Sequence, residues 1–130
     1  MSAKSKVLIY GCDPVLLETR RWVLEAMRFE VSEATRLEEV ERMIAEGQVD
    51  VLVLCHSLSA EERRAALRAA RNRIPSVKRL LLSAGTEGAE FQGEAEILSI
   101  FKGPAALVAS VQRATGREGM QAQVGSQAGA

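Results

Sequence analysis

The sequence predicts a three-layer α/β/α sandwich on a five-stranded parallel sheet, in the flavodoxin-like strand order 2-1-3-4-5. Three observations carry this. First, Val7-Leu-Ile-Tyr10, Val49-Asp-Val-Leu-Val-Leu-Cys55 and Val77-Lys-Arg-Leu-Leu-Leu82 are short apolar runs without clean alternation. Strands buried on both faces of a parallel sheet read this way. Second, stretches with helical periodicity fill the gaps between them. Third, the alternation occupies about 110 residues, and short connections between parallel strands force right-handed crossovers that cover both faces of the sheet.

Each element has a local reason. Strand one, Val7 to Tyr10, stops at Gly11, and Asp13-Pro14 then offers an N-cap followed by proline at the first helical position. In the first helix Val15, Leu16, Trp22, Val23, Ala26 and Met27 recur at helical spacing, with Arg20, Arg21 and Glu25 on the other side, so Trp22 is expected in the core. Phe29 to Ala34 is a weaker second strand. Arg36 to Glu46 repeats the amphipathic pattern with Leu37, Val40 and Ile44 and closes at Gly47, a C-terminal cap. Strand three is the run to Cys55. Ser59 and Glu62 have the spacing of a loose capping box for a third helix over Glu61 to Arg73, which ends before Ile74-Pro75. After strand four, Gly85, Gly88 and Gly93 weaken any helix, so a short or irregular one is expected. Ala95 to Ile100 is the fifth strand, and a last helix runs from Pro104 to about Ala114. From Gly116 the chain loses periodicity and apolar groups, which reads as a disordered tail over 116–130 behind a domain of residues 1–115.

Composition narrows the function classes. The 130 residues carry 17 Lys+Arg against 17 Asp+Glu, a formal net charge of zero, which argues against nucleic acid or an anionic membrane as partner. No apolar stretch approaches the roughly 18 residues of a membrane span, and the start has no signal-peptide core. Two cysteines make no disulfide framework. The expectation is a cytoplasmic single-domain protein.

In this topology ligands bind at the carboxyl ends of the strands. Gly11, Cys12 and Asp13 follow strand one, Cys55, His56 and Ser57 strand three, Ser83 to Gly85 strand four, and Ser99 to Lys102 strand five. These positions carry a resemblance. Lys6-Val-Leu-Ile-Tyr-Gly-Cys-Asp-Pro14 resembles the opening strand of response-regulator (CheY-like) receiver domains, usually K-I-L-V-V-D-D-D-P. Asp50 to Cys55 resembles D-L-V-L-L-D, whose last residue accepts the phosphoryl group, and Val77 to Ala84 is similar to P-V-I-V-L-T-A. Ala95 to Leu107 looks like the fifth strand and final helix, A-V-L-P-K-P-F-S-P-E-E-L. Together they span roughly residues 5 to 115.

The departures fall on the chemistry. The resemblance places Gly11 and Cys12 where receivers hold Mg²⁺ with an acidic pair, Cys55 at the phosphoacceptor, and Ile100 at the lysine, with Lys102 two residues away. Ser83 keeps the hydroxyl that contacts the phosphoryl group, and Ile97 stands at the aromatic switch position. A thiol and a glycine cannot replace two carboxylates for a hard cation, so a degenerate pseudo-receiver without aspartyl phosphorylation is expected, with no cofactor, no metal and no enzymatic activity. Asp13 reads as the helix cap. The resemblance implies a two-component or phosphorelay role through a protein partner, a histidine kinase or another signalling protein. It implies docking on the fourth helix, fifth strand and last helix, here roughly Gly88 to Ala114. The oligomeric state, a homodimer included, stays open.

Other readings stand beside it. Cys12 and Cys55, at neighbouring strand ends, read as small buried fillers of a vacated acidic pocket, with a thiol-pair redox sensor as the alternative. A zinc site from Cys12, Cys55 and His56 lacks ligand spacing, and His56 alone reads as a partly exposed polar residue. Ser83 has no Asp-His partners for a hydrolase triad, and the glycines after it do not form a phosphate-binding fingerprint. Arg63, Arg64, Arg68, Arg71 and Arg73 read as a solvated basic face, or else as a dock for an acidic partner. A small-ligand site at the strand ends remains the third class.

Overall fold

The computed structural model describes residues 4–86 and 88–116. Its strands are β1 (Lys6–Tyr10), β2 (Glu30–Ala34), β3 (Val51–Leu54), β4 (Lys78–Ser83) and β5 (Glu96–Ser99). Its helices are α1 (Pro14–Glu25), α2 (Leu37–Ala45), α3 (Ala60–Asn72) and α4 (Pro104–Thr115). All pairings are parallel and the order is β2-β1-β3-β4-β5, as the alternation requires. The irregular fourth helix is a 3₁₀ turn, Ala89–Phe91, and a second 3₁₀ turn, Ile100–Lys102, follows β5. The tail expected to be disordered falls, beyond Gly116, outside the described residues.

Strand alternation divides the core in two. Leu8, Tyr10, Leu52, Leu54 and Leu81 face Val40 and Ile44 of α2 and Ala66, Leu67 and Ala70 of α3. Val7, Ile9, Val51, Val53, Leu80 and Leu82 point the other way, onto Leu17 and Leu24 of α1 and Leu107 and Val111 of α4. The central strands are buried on both faces, which is why they read as continuous apolar runs.

Local signals set the helix ends. Asp13 caps α1, its carboxylate accepting from the Val15 and Leu16 amides at 3.0 and 3.5 Å. The capping box of α3 is complete: Glu62 N–H donates to Ser59 Oγ at 3.1 Å, and Ser59 N–H donates to Glu62 Oε1 at 2.8 Å. Gly47, at φ +74°, takes the left-handed position after α2.

Two expectations are overturned. Trp22 is 57% exposed and Val15 70%, and Met27 is exposed as well. The buried stripe of α1 runs through Leu17 and Leu24, seven residues apart. At about 100° per residue Trp22 lies about 140° round from Leu17, and Val15 falls on the same outer face. Met27 lies beyond the last helical residue, in a turn that reverses through Arg28 at φ +69°. Arg63, expected on a solvated basic face, is 5% exposed, and its Nη2 donates to the His56 carbonyl at 2.8 Å. It seals the β3–α3 loop from beneath. Of the other arginines, Arg64 lies over the Phe91 ring, Arg71 pairs with Glu94 at 3.4 Å and Arg73 donates to Ala45 O. Arg64, Arg68, Arg71 and Arg73 are all exposed, as a solvated face requires, so the expectation fails at Arg63 alone.

Candidate functional site

The β1–β3 register pairs Tyr10 with Leu54 and continues one residue further, with Cys55 N–H donating to Tyr10 O at 2.9 Å, while on the other edge of β1 Gly11 N–H donates to Ala34 O of β2 at 3.1 Å. Gly11 and Cys55 therefore lie side by side at the carboxyl end of the sheet. A Cβ added to Gly11 would stand 2.9 Å from both Cβ and Sγ of Cys55 and 3.3 Å from Leu17 Cδ2. The Cys55 side chain fills the volume in front of Gly11, and a side chain at 11 has no room.

Cys55 belongs to the α1/α4 half of the core and is buried. Arg20 of α1 reaches it, with Nη1 donating to Sγ at 3.1 Å. Burial pushes the Cys55 thiol above the ordinary cysteine range, Cys12 and Asp13 nearby reinforce the rise, and the Arg20 guanidinium opposes it. Burial prevails, so Cys55 is a neutral thiol at neutral pH.

Cys12 departs from the expected filler role, because it is exposed and only Cys55 is buried. The Gly11 position faces Cys55, so the next residue turns outward. The Cys12 amide donates to Ser57 Oγ at 3.1 Å and ties the β1–α1 turn to the β3–α3 loop. Both thiols are free. Asp13 is engaged as the α1 cap. His56 is half-buried, and its Nδ1 has no hydrogen-bond partner among the described residues. Ser83 is buried, and its hydroxyl forms a turn with Gly85, donating to the carbonyl at 3.0 Å and accepting from the amide at 3.3 Å. Ile100 packs on the α1/α4 core, while Lys102 is exposed in the 3₁₀ turn and makes no hydrogen bond or ion pair among the described residues. Ile97 packs against the opposite core.

The structure thus joins Gly11, Cys55 and Arg20 and leaves Cys12 and Lys102 at the surface. Arg20, expected on the polar side of α1, instead reaches the Cys55 sulfur. One signal was present: it lies three residues after Leu17 and four before Leu24, on the border of the buried stripe. Among the described residues, no group of three His, Cys, Asp or Glu side chains is arranged to hold a metal ion, and no helix is long and apolar enough to cross a membrane.

The strand order, the four helices and a candidate site at the carboxyl ends of β1 and β3 define a CheY-like flavodoxin fold, and solved structures match it closely. A signal receiver domain of an HD domain-containing protein from Pseudomonas fluorescens superposes with a TM-score of 0.75 at 18% identity, covering 87% of this chain and 95% of that one. A response regulator receiver domain from Clostridium thermocellum gives 0.75 at 19% identity, covering 90% and 98%. The receiver domain of a sensor histidine kinase from Pseudomonas aeruginosa, which holds a magnesium ion in its active-site cleft, gives 0.73 at 18%, covering 88% and 99%. No family model matches the sequence, and no curated protein matches it. The chain has the fold of receiver domains.

Proposed function

We propose that the chain is a non-catalytic, receiver-type signalling module that works by binding a protein partner, without Mg²⁺-dependent aspartyl phosphorylation. One observation carries the reading: the buried Cys55 side chain occupies the volume facing Gly11, where the receiver resemblance calls for a phosphoacceptor and a metal-binding carboxylate. Magnesium needs hard oxygen ligands in near-octahedral array. Here the residues do not fit that ion, since Gly11 has no side chain, Cys12 and Cys55 offer sulfur, and Asp13, a single carboxylate in place of a set, already caps α1 through Oδ1. Phosphoryl transfer also relies on cationic clamps, and Ile100 supplies none.

A histidine kinase or another signalling protein is the partner class that the receiver fold favours. Large exposed apolar side chains offer contact area in three places: Val15 and Trp22 on the outer face of α1 with Met27 just beyond its end, Ile74 after α3, and Phe101 in the 3₁₀ turn before α4. Of these, Phe101 lies within the expected docking stretch from Gly88 to Ala114.

Incubation with a small-molecule phosphodonor and Mg²⁺, read by intact mass, tests the reading. The expected spectrum is that of unmodified protein. A stoichiometric, acid-labile phosphoryl group on Asp13 would overturn it.

A further inference from the structure

We infer that a cavity between α1 and α4 binds a small monocarboxylate whose body is a single ring or a short alkyl chain. The cavity measures about 200 Å³ and opens to solvent on one side, with Leu82 and Leu98 of the sheet as its floor, Leu16 and Val23 of α1 as one wall and Leu107 of α4 as the other. Among the described residues, Arg20 is the one charged side chain lining it.

The Arg20 guanidinium fixes the chemistry. It offers five N–H donors, and among the described residues its one hydrogen bond is to the Cys55 thiol at 3.1 Å, a weak acceptor. It has no carboxylate partner within salt-bridge distance among the described residues, although it is half-buried. A partly desolvated cation against an apolar wall favours an anion, and the planar fork of Arg suits a carboxylate on two parallel bonds. Of the other side-chain polar atoms on the lining, Thr19 Oγ1 donates to the Val15 carbonyl and Ser99 Oγ accepts from the Phe101 amide, which leaves only neutral hydroxyl capacity beside the Arg20 cation. The ligand's single polar end therefore belongs at Arg20.

Size fixes the rest. An apolar cavity of about 150 Å³ accepts benzene, so about 200 Å³ takes one ring with a carboxylate. Nucleotides and most drug-sized molecules need roughly 300–1,000 Å³. The site is separate from the Gly11–Cys55 contact, with Arg20 as the link between them, and it would give a module without phosphorylation a chemical input. Its failure would leave the receiver reading intact, since that reading stands on the phosphodonor experiment.

The test is a calorimetric titration of the full chain with benzoate, beside benzyl alcohol (the same ring without charge) and acetate (the charge without the ring). Methyl NMR on the same samples reports where binding occurs. The expected result is one saturable benzoate site with a dissociation constant of about 1 mM or tighter. Benzyl alcohol and acetate should bind at least about tenfold more weakly, and benzoate should shift the methyls of Leu98 and Leu107. Arg20→Met should erase the preference for benzoate over benzyl alcohol, and Val23→Phe, which fills the cavity from its half-exposed wall, should remove both. Arg20→Lys should retain a weakened preference. If the variants do not fold, the wild-type ligand series and the shifted methyls decide. Failure to saturate, equal binding of benzoate and benzyl alcohol, or shifts confined to other methyls would overturn the proposal.

Discussion

The two ends of the α1/α4 half of the core treat empty space in opposite ways. Where β1 and β3 end, the Cys55 side chain presses so closely on Gly11 that one added carbon would sit 2.9 Å from it. Where β5 ends and α4 begins, the same half of the core encloses a cavity of about 200 Å³. Arg20 serves both, since it lines the cavity and donates to the Cys55 sulfur. A fold that keeps its strands can thus close one strand-end pocket with a thiol and leave another volume open beside it. The closed end bears on the proposed lack of phosphorylation, and the open end on the proposed ligand.

The largest effect that bears on this contrast is expected at Leu17, whose side chain backs the closed end. Leu17→Ala should cost about 2–5 kcal/mol in denaturant unfolding, because it leaves a cavity in fully packed core. A loss under about 1 kcal/mol would mean that the closed end is looser than its geometry. Next comes Gly11→Ala, expected to cost about 1–3 kcal/mol by overpacking. The double variant Gly11→Ala/Cys55→Ala should recover part of that loss, since one of the two 2.9 Å contacts is with Sγ. Strict additivity of the two single changes would refute the contact.

Alkaline pH gives a smaller effect. Burial raises the folded pKa of Cys55, and burial with the nearby Glu62 carboxylate pushes the Tyr10 phenol up to about 12. A raised folded value means that the protonated form is favoured in the native state. The resulting stability is whole below the unfolded pKa and is lost as pH climbs through the folded one. Unfolding free energy should therefore fall from about pH 9 upward for the thiol and continue to fall from about pH 10 towards 12 for the phenol. Cys55→Ala should remove the first part of that decline and leave the second. The smallest effect is expected at Trp22, where Trp22→Ala should change stability by under about 1 kcal/mol, against the 3–5 kcal/mol that a core tryptophan would cost.

The legibility of these features in the sequence follows their range. Val51 to Leu54 and Leu80 to Leu82 are apolar on both faces, so local composition alone marked them as central strands, and the N-cap at Asp13 and the box at Ser59 and Glu62 are encoded within four residues. The phase of α1 was not legible. The adjacent Leu16 and Leu17 fit two helical phases, and Trp22 with Val15 drew the reading toward the wrong one. The burial of Arg63 was hidden because its one strong partner is a backbone carbonyl seven residues away, which has no sequence signature. That Gly11, Cys12 and Cys55 stand at a receiver's carboxylate positions is what the resemblance implies. The Gly11–Cys55 contact and the approach of Arg20 to it depend on how the strand ends and α1 pack together, which no local pattern encodes.

The proposal that the Gly11–Cys55 contact leaves no divalent-cation site at the carboxyl end of the sheet is tested most directly by a Mg²⁺ titration followed by amide NMR, carried to tens of millimolar against a matched ionic-strength control. No saturable shift is expected at the Gly11, Cys12, Asp13, Cys55 or His56 amides. A saturable, Mg²⁺-specific shift clustered on those residues would contradict it.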